Sequence, residues 1–211
     1  MINFILHIDD YIYSSAQSVG GWTYLILFLV IFGETAAIVM PFLPGDSLLF
    51  AAGALAANPK MGFNVVIFLF LFFFAAFFGD VCNFLIGHTV GNKLIDHRFF
   101  SKLIKRKHID EAEQYFEKNG SIAIILGRYI PIIRTFVPFV AGISQFPIRE
   151  FVKRAFIAAL SWSLIATGSG YLFGNIPFVK EHFSAIIMSI IVVTLLPSVI
   201  AFLRSIKKRT V

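Results

Sequence analysis

Long apolar runs divide this chain and predict helices that cross a membrane. Phe63–Phe78 is almost entirely apolar and continues past Asp80, while Ala155–Phe173 and Phe183–Leu203 hold no charged residue over 19 and 21 positions. A helix needs about 20 such residues to cross the hydrocarbon core. Because lipid offers the backbone no hydrogen-bonding partners, these runs form helices and not isolated strands. The pattern predicts an all-α integral membrane protein with three or four full spans.

Two further apolar stretches are interrupted. Trp22–Ala57 has 36 residues and Ser121–Ser144 has 24. Each contains residues that break a helix, namely Pro41, Pro44 and Gly45 in the first and Pro131 and Pro138 in the second. Twenty-four residues cannot cross twice, but they suit two half-helices of roughly 15 Å each. Irregular backbone at that depth requires surrounding protein or a wet cavity. We therefore predict two re-entrant helical hairpins; the alternative is one proline-kinked span in each stretch.

The order of these segments repeats along the chain. Residues 1–88 and 91–174 each contain an amphipathic interfacial stretch, an interrupted stretch and a full span, and an extra C-terminal span follows at 183–204. Each repeat crosses the membrane an odd number of times, so the two must be inverted. Interrupted hydrophobic segments at matching places in two halves are typical of transporter binding sites. The sequence thus predicts one membrane domain built as an inverted repeat.

The basic residues predict the orientation. In the hairpin topology, 14 of the 18 Lys and Arg residues lie on one side, and Lys60 and Lys180 remain on the other. The positive-inside rule makes the rich side cytoplasmic, with the C-terminus there. The net charge of +6 is then explained by topology and by contact with anionic lipid headgroups, and it does not call for nucleic acid. A multi-pass protein of the inner, cytoplasmic membrane is predicted.

Four charged residues lie inside the interrupted stretches: Glu34 and Asp46 in the first, Arg128 and Arg134 in the second. Each costs about 2.5–3.5 kcal/mol at the bilayer centre on insertion scales, so they must face one another or a wet cavity. Arginine holds phosphate with a planar fork of donors, which predicts substrate binding by Arg128 and Arg134. Apolar surroundings favour the neutral form of a carboxyl group, which predicts proton coupling by Glu34 and Asp46.

The same four charges have a structural alternative, in which they form two ion pairs that hold the hairpins together. Asp80 is a third candidate acid for the site, or else an interfacial residue whose carboxylate reaches water. No group of Cys, His and acidic residues has metal-ligand spacing, and no nucleophile or phosphate-loop motif occurs. We therefore expect neither a metal, nor a cofactor, nor enzymatic activity.

The motifs around these charges resemble the DedA family, also called the SNARE-associated or VTT-domain family. Phe32–Glu34 with Pro41–Leu49 carries the first motif, and Gly127–Pro131 with Arg134–Phe136 carries the second. The resemblance covers roughly residues 20–205. After Gly79-Asp80, where the family often has a Tyr and a later Gly-Arg pair, this chain has Asn83 and Gly87-His88, which puts a role for that region in doubt.

The resemblance implies a lipid flippase or scramblase with two facing re-entrant hairpins. It also implies that Glu34, Asp46, Arg128 and Arg134 correspond to the membrane-embedded charges of the family. Family members are associated with undecaprenyl phosphate, the lipid carrier of cell-wall synthesis, and others with phosphatidylethanolamine, membrane potential and drug tolerance. The leading hypothesis is a proton-coupled translocase for a polyprenyl phosphate or a phospholipid of the cell envelope. The competing hypotheses are an ion or drug antiporter coupled to protons or Na⁺, and a scaffold without cargo; an oligomer is compatible with either.

Overall fold

The computed structural model describes residues 18–36, 45–96, 122–174 and 176–182, together with 185–186, 188–190 and 192. Every regular element within these ranges is helical, which confirms the predicted all-α class. The larger helices are α1 (Trp22–Ala36), α2 (Gly45–Ala57), α3 (Val65–Asp96), α4 (Ile122–Gly127), α5 (Pro131–Ile143), α6 (Ile148–Phe173) and α7 (Pro177–Glu181). A 3₁₀ turn, Pro59–Met61, lies between α2 and α3. The predicted span at 183–204 lies almost wholly outside the described residues.

Helices α3 and α6 are the described helices long and apolar enough to cross a membrane, over Val65–Thr89 and Ile148–Phe173. The 32 residues of α3 extend about 48 Å at 1.5 Å per residue, against about 30 Å for the hydrocarbon core. Large apolar side chains on both helices are exposed, among them Ile67, Phe70, Phe74, Phe156 and Leu160. So much exposed apolar surface suits contact with lipid and not with water.

Helices α1 and α2 are shorter, with 15 and 13 residues, or about 22 and 20 Å. The beginning of α1 lies beside the beginning of α3, because the Tyr24 hydroxyl accepts a hydrogen bond from the Asn64 backbone N–H at 2.8 Å. The Tyr24 ring also packs on Phe68, with centroids 4.6 Å apart. Asn64 in turn caps α3, since its side-chain oxygen accepts from the Val66 N–H at 2.8 Å.

The chain forms two compact units. Among the described residues, the first unit holds 18–31, 45–73 and 162–192, and the second holds 32–36, 74–96 and 122–161. Helices α1, α3 and α6 therefore contribute to both units. Each unit also combines segments of the two repeats expected from the sequence, whose boundaries stay a prediction.

In the first unit, α2 and α6 cross in close contact through glycines. A Cβ at Gly53 would collide with the backbone of Thr167 and lie 2.8 Å from the Tyr171 nitrogen, and a Cβ at Gly170 would collide with the Phe50 carbonyl. Gly174 similarly faces Ala54. Because Phe50 lies opposite Gly170 and Ala54 opposite Gly174, the two helices run in the same direction. Small residues allow such close backbone approach in membranes, where van der Waals packing holds helices together.

The second unit contains the same arrangement between α5 and α3. A Cβ at Gly87 would collide with the Phe139 carbonyl, and one at Gly142 would lie 2.7 Å from the His88 nitrogen. Gly91 faces Ile143, so these helices also run in the same direction. In each unit, then, the helix that follows an interrupted segment packs on a long helix from the other expected repeat.

The residues expected to break the hairpins have different fates. Gly45 begins α2, and Pro131 begins α5 at a position where its missing N–H costs nothing. Pro41 and Pro44 lie outside the described residues. The break expected at Pro138 is wrong, since α5 continues through it to Ile143. An internal proline removes one backbone hydrogen bond, which can kink a helix without ending it.

Candidate functional site

Glycine at position 79 brings the end of α1 against α3 in the second unit. A Cβ on Gly79 would lie 2.7 Å from the Thr35 Cβ and 2.9 Å from its Cγ2. One turn further along α3, the Asn83 side-chain amide donates to the Thr35 carbonyl at 3.4 Å. This close approach of the two helices places Glu34 and Asp80 in the same buried region, with 2% and 4% of their surfaces exposed.

The turn between α4 and α5 places Arg128 beside Asp80. Tyr129 and Ile130 form the turn through backbone hydrogen bonds to Leu126 and Gly127. The Tyr129 hydroxyl donates to Ser161 Oγ on α6 at 2.7 Å, which anchors the turn. Arg128 is 6% exposed, and its Nη1 donates to Asp80 Oδ2 in a buried ion pair.

A second ion pair lies in the same unit. Arg134, in the first turns of α5, donates from Nη2 to Glu34 Oε1. Both side chains are almost fully withdrawn from the surface. Glu34, Asp80, Arg128 and Arg134 together form what we call the buried charge cluster. It has two acids and two arginines, so its formal charges balance.

Burial makes each member of the cluster depend on its partner. Removing one partner of a buried ion pair typically costs about 3–5 kcal/mol, because the other charge is left uncompensated. The same unit has an apolar core that contains Phe84, Ile124, Val140 and Phe151, with the Phe84 and Phe151 rings stacked at 4.3 Å. The charges are thus held in a low-dielectric setting where their mutual attraction is strong.

The structure pairs the expected site residues differently from the sequence expectation. Arg134 meets Glu34, one of the two acids expected to pair with the arginines, and Arg128 meets Asp80, which was only a possible third acid. The alternative that Asp80 reaches water at an interface is wrong, because its carboxylate is buried. Its sequence signal was the pair Gly79-Asp80 inside an apolar span: a small residue that permits close helix packing, followed by an acid that needs a partner.

Asp46 belongs to the first unit, in the first turn of α2. Its Oδ1 accepts a hydrogen bond from Trp162 Nε1 at 2.8 Å. The positive end of the α2 dipole also favours a negative charge at that position. Sequence reasoning missed Trp162, although an indole N–H within an apolar span needs an acceptor.

The comparisons with known proteins point to one family of membrane proteins. The family model described as the VTT domain matches residues 43–172. The chain is 46% identical to Protein DedA of Escherichia coli K12 over 204 residues, covering 97% of this chain and 93% of that protein. It is 35% identical to an uncharacterized membrane protein of Mycobacterium tuberculosis, over 87% and 80% of the two chains. It is also 35% identical to the Escherichia coli inner membrane protein YghB, over 75% and 71%. No solved structure matches.

Proposed function

This chain belongs to the DedA family of VTT-domain membrane proteins, and from that premise we propose that it is a proton-coupled translocase for an anionic lipid. Undecaprenyl phosphate, or a related polyprenyl phosphate, is the proposed substrate. The cytoplasmic membrane is the proposed location, in keeping with the inner-membrane relative. The observation that carries the proposal is the buried charge cluster, where each of two arginines is held in an ion pair with a buried carboxylate.

The arginines supply the recognition chemistry. A guanidinium donates through a planar fork that fits carboxylate and phosphate oxygens equally well. A lipid phosphate can therefore take the place of Glu34 or Asp80 beside its arginine without a change in donor geometry. Only the headgroup needs this polar site, because the prenyl tail can stay in the bilayer.

Charge balance supplies the coupling to protons. The empty cluster is neutral, whereas a phosphate monoester adds between one and two negative charges near pH 7. Excess charge is expensive in an apolar setting. Protonation of the displaced carboxylate, whether Glu34 or Asp80, restores the balance, and its deprotonation on the other side would expel the lipid. Asp46 is the second acid expected from the sequence to couple transport to protons, and it remains a proposed coupling group. Mutation of Asp46 can distinguish its role from that of the cluster carboxylates.

Short helices support a re-entrant path for the headgroup. Neither α1 nor α2 reaches the roughly 30 Å of a full crossing. After both helices, the chain at Asn64 again contacts Tyr24 near the beginning of α1, so it has returned to the depth at which α1 began. A hairpin that enters and leaves on one side has these properties; a single kinked span does not. In the second unit, Ala123 near the start of α4 shares a core cluster with Phe151 near the start of α6, which supports a second hairpin.

The test is translocation of undecaprenyl phosphate by the purified protein in proteoliposomes, with and without a pH gradient. We expect wild-type activity that responds to the gradient and is lost in Arg128→Ala and Glu34→Gln. Arg154→Ala is the matched control, since that arginine lies at the start of α6 and pairs only loosely with Glu150 at 4.0 Å. If folded Arg128→Ala protein still moves the lipid normally, the proposal is wrong.

Phosphatidylethanolamine translocation is the second candidate, favoured by the presence of both charge signs in one cluster. Its headgroup carries a phosphate for the arginines and an ammonium for the carboxylates. An ion or drug antiporter would use the carboxylates and leave the arginine geometry unimportant. Substituting Arg134→Lys separates these functions, because lysine keeps the charge and loses the fork: lipid transport should fall sharply, and ion exchange should not.

A further inference from the structure

Asp80 has two oxygen atoms in unlike surroundings. Its Oδ2 accepts from Arg128, whereas Oδ1 is buried and has no hydrogen-bond donor within the described part of the chain. A carboxylate oxygen is an acceptor with two lone pairs, and leaving a buried acceptor unsatisfied is unfavourable. Oδ1 is therefore the atom of the cluster with unused capacity for a proton.

Charged groups from several elements surround Asp80. Arg128 approaches from the turn after α4 and pairs with Asp80, and Arg134 lies near the start of α5. Glu34 on α1 is held by Arg134. On α3 itself, His88 lies two turns further on, exposed and stacked on Phe84. Arg128 is thus the charged group paired with Asp80, and passing that arginine to another anion removes the ion pair that favours the charged carboxylate.

We propose that Asp80 is the proton-carrying counterion of Arg128, taking up a proton on Oδ1 when a lipid phosphate replaces its Oδ2 beside the arginine. This inference rests on the proposed function. The step balances: an O–H bond forms at Oδ1 with a proton from water, the Arg128 hydrogen bond passes from carboxylate to phosphate, and no bond of the lipid breaks. For a singly charged phosphate the net charge of the cluster is unchanged. Release of the lipid reverses both changes.

The role is assigned to Asp80 in preference to Asp46 for a geometric reason. Asp46 accepts a hydrogen bond from Trp162 and lies at the positive end of a helix, and both interactions stabilise its charged form. Asp80, by contrast, shares its arginine with the proposed substrate. Binding of the phosphate and protonation of Asp80 are therefore linked at one guanidinium.

Proton uptake on lipid binding tests this assignment. Full-length protein in detergent and weak buffer is titrated with farnesyl phosphate, while binding is followed by calorimetry and proton uptake by a pH indicator. We expect Asp80→Asn to bind the phosphate yet lose the Asp80 share of the uptake, and Asp80→Glu to recover it. Binding by Asp80→Asn with unchanged uptake would overturn the assignment, as would loss of uptake in Asp46→Asn alone.

A spectroscopic measurement on the wild type covers the case in which Asp80→Asn does not fold. Infrared difference spectra should show a protonated carboxyl band on phosphate binding that moves in Asp80→Glu. If phosphate binds and the protonated carboxyl band does not move in Asp80→Glu, Asp80 is not the carrier, and the lipid-translocase proposal survives with Glu34 in that role. If folded wild-type protein binds no lipid phosphate, both proposals fail.

Discussion

At the residue scale, the ion pair of Arg128 and Asp80 is the feature most sensitive to substitution. Both side chains are buried, so neither can compensate for a lost partner with water. A surface pair behaves differently: Lys153 and Glu150 on α6 are 2.9 Å apart with both side chains exposed, and such pairs contribute little. The two pairs allow buried and exposed charge to be compared in one molecule.

We expect Arg128→Met or Asp80→Leu alone to lower the free energy of unfolding by about 3–5 kcal/mol, because each leaves a buried charge uncompensated. The double variant should recover most of the loss, since two apolar groups replace two charges. Thermal unfolding in detergent measures the cycle, with Lys153→Met as the control that changes little. Transport by the stable double variant would show that the pair is structural and not part of the substrate site.

Trp162 permits a second residue-scale prediction. Trp162→Phe keeps an aromatic ring but removes the N–H that donates to Asp46. A hydrogen bond to a charged group contributes about 1.5–3 kcal/mol, so the free energy of unfolding should fall by that order. Trp22→Phe, at a position 69% exposed, is the matched control and should be silent. Equal stability of the two variants would mean that Asp46 does not depend on the indole.

At the element scale, glycines control how closely the helices approach. Gly168 and Gly170 lie two residues apart on α6, yet a Cβ at Gly168 would meet nothing within 4 Å, while one at Gly170 would collide with the Phe50 backbone. A backbone atom cannot move aside as a flexible side chain can. The two positions therefore separate helix propensity from packing.

Gly170→Ala should lower the free energy of unfolding by about 1–3 kcal/mol, the usual cost of overpacking. Gly168→Ala should leave it unchanged or raise it by up to about 1 kcal/mol through better helix propensity. Thermal unfolding of the two variants in the same detergent gives the comparison. The packing assignment is wrong if both substitutions prove equally harmless.

The elements differ in how far the sequence predicted them. The long apolar runs indicated α3 and α6 correctly, because contact with lipid selects composition that is visible locally. The pairing of Arg128 with Asp80 was not predictable in this way, since 48 residues separate them and their meeting depends on packing at Gly79. The break predicted at Pro138 was wrong for a related reason. Tertiary packing can sustain a helix through a residue that local propensity disfavours.

At the scale of the whole molecule, topology is open to direct measurement. In a Cys82→Ala background, we expect Ser18→Cys and Lys60→Cys to react with a membrane-impermeant maleimide from the same side. The reason is that α1 and α2 lie between these positions and are proposed to form a hairpin that enters and leaves the membrane on one side. Lys153→Cys should react from the opposite side if the positive-inside rule holds. Labelling of intact spheroplasts and inverted vesicles distinguishes the sides. Opposite labelling of positions 18 and 60 would indicate one kinked span in place of a hairpin.

The glycine-lined crossing of α2 with α6 can form only after both helices have been synthesised, which delays the packing of α2 during membrane insertion. Ribosomes add about 5–20 residues per second, and more than a hundred residues separate Ala57, where α2 ends, from Phe173, where α6 ends. At that rate, α6 is completed on the order of 10 s after α2. During this time α2, a short helix with an acidic first turn, lacks the helix on which it packs in the folded protein. Insertion factors that shelter incomplete hairpins should therefore matter more for this chain than for a membrane protein whose successive helices pair as they emerge.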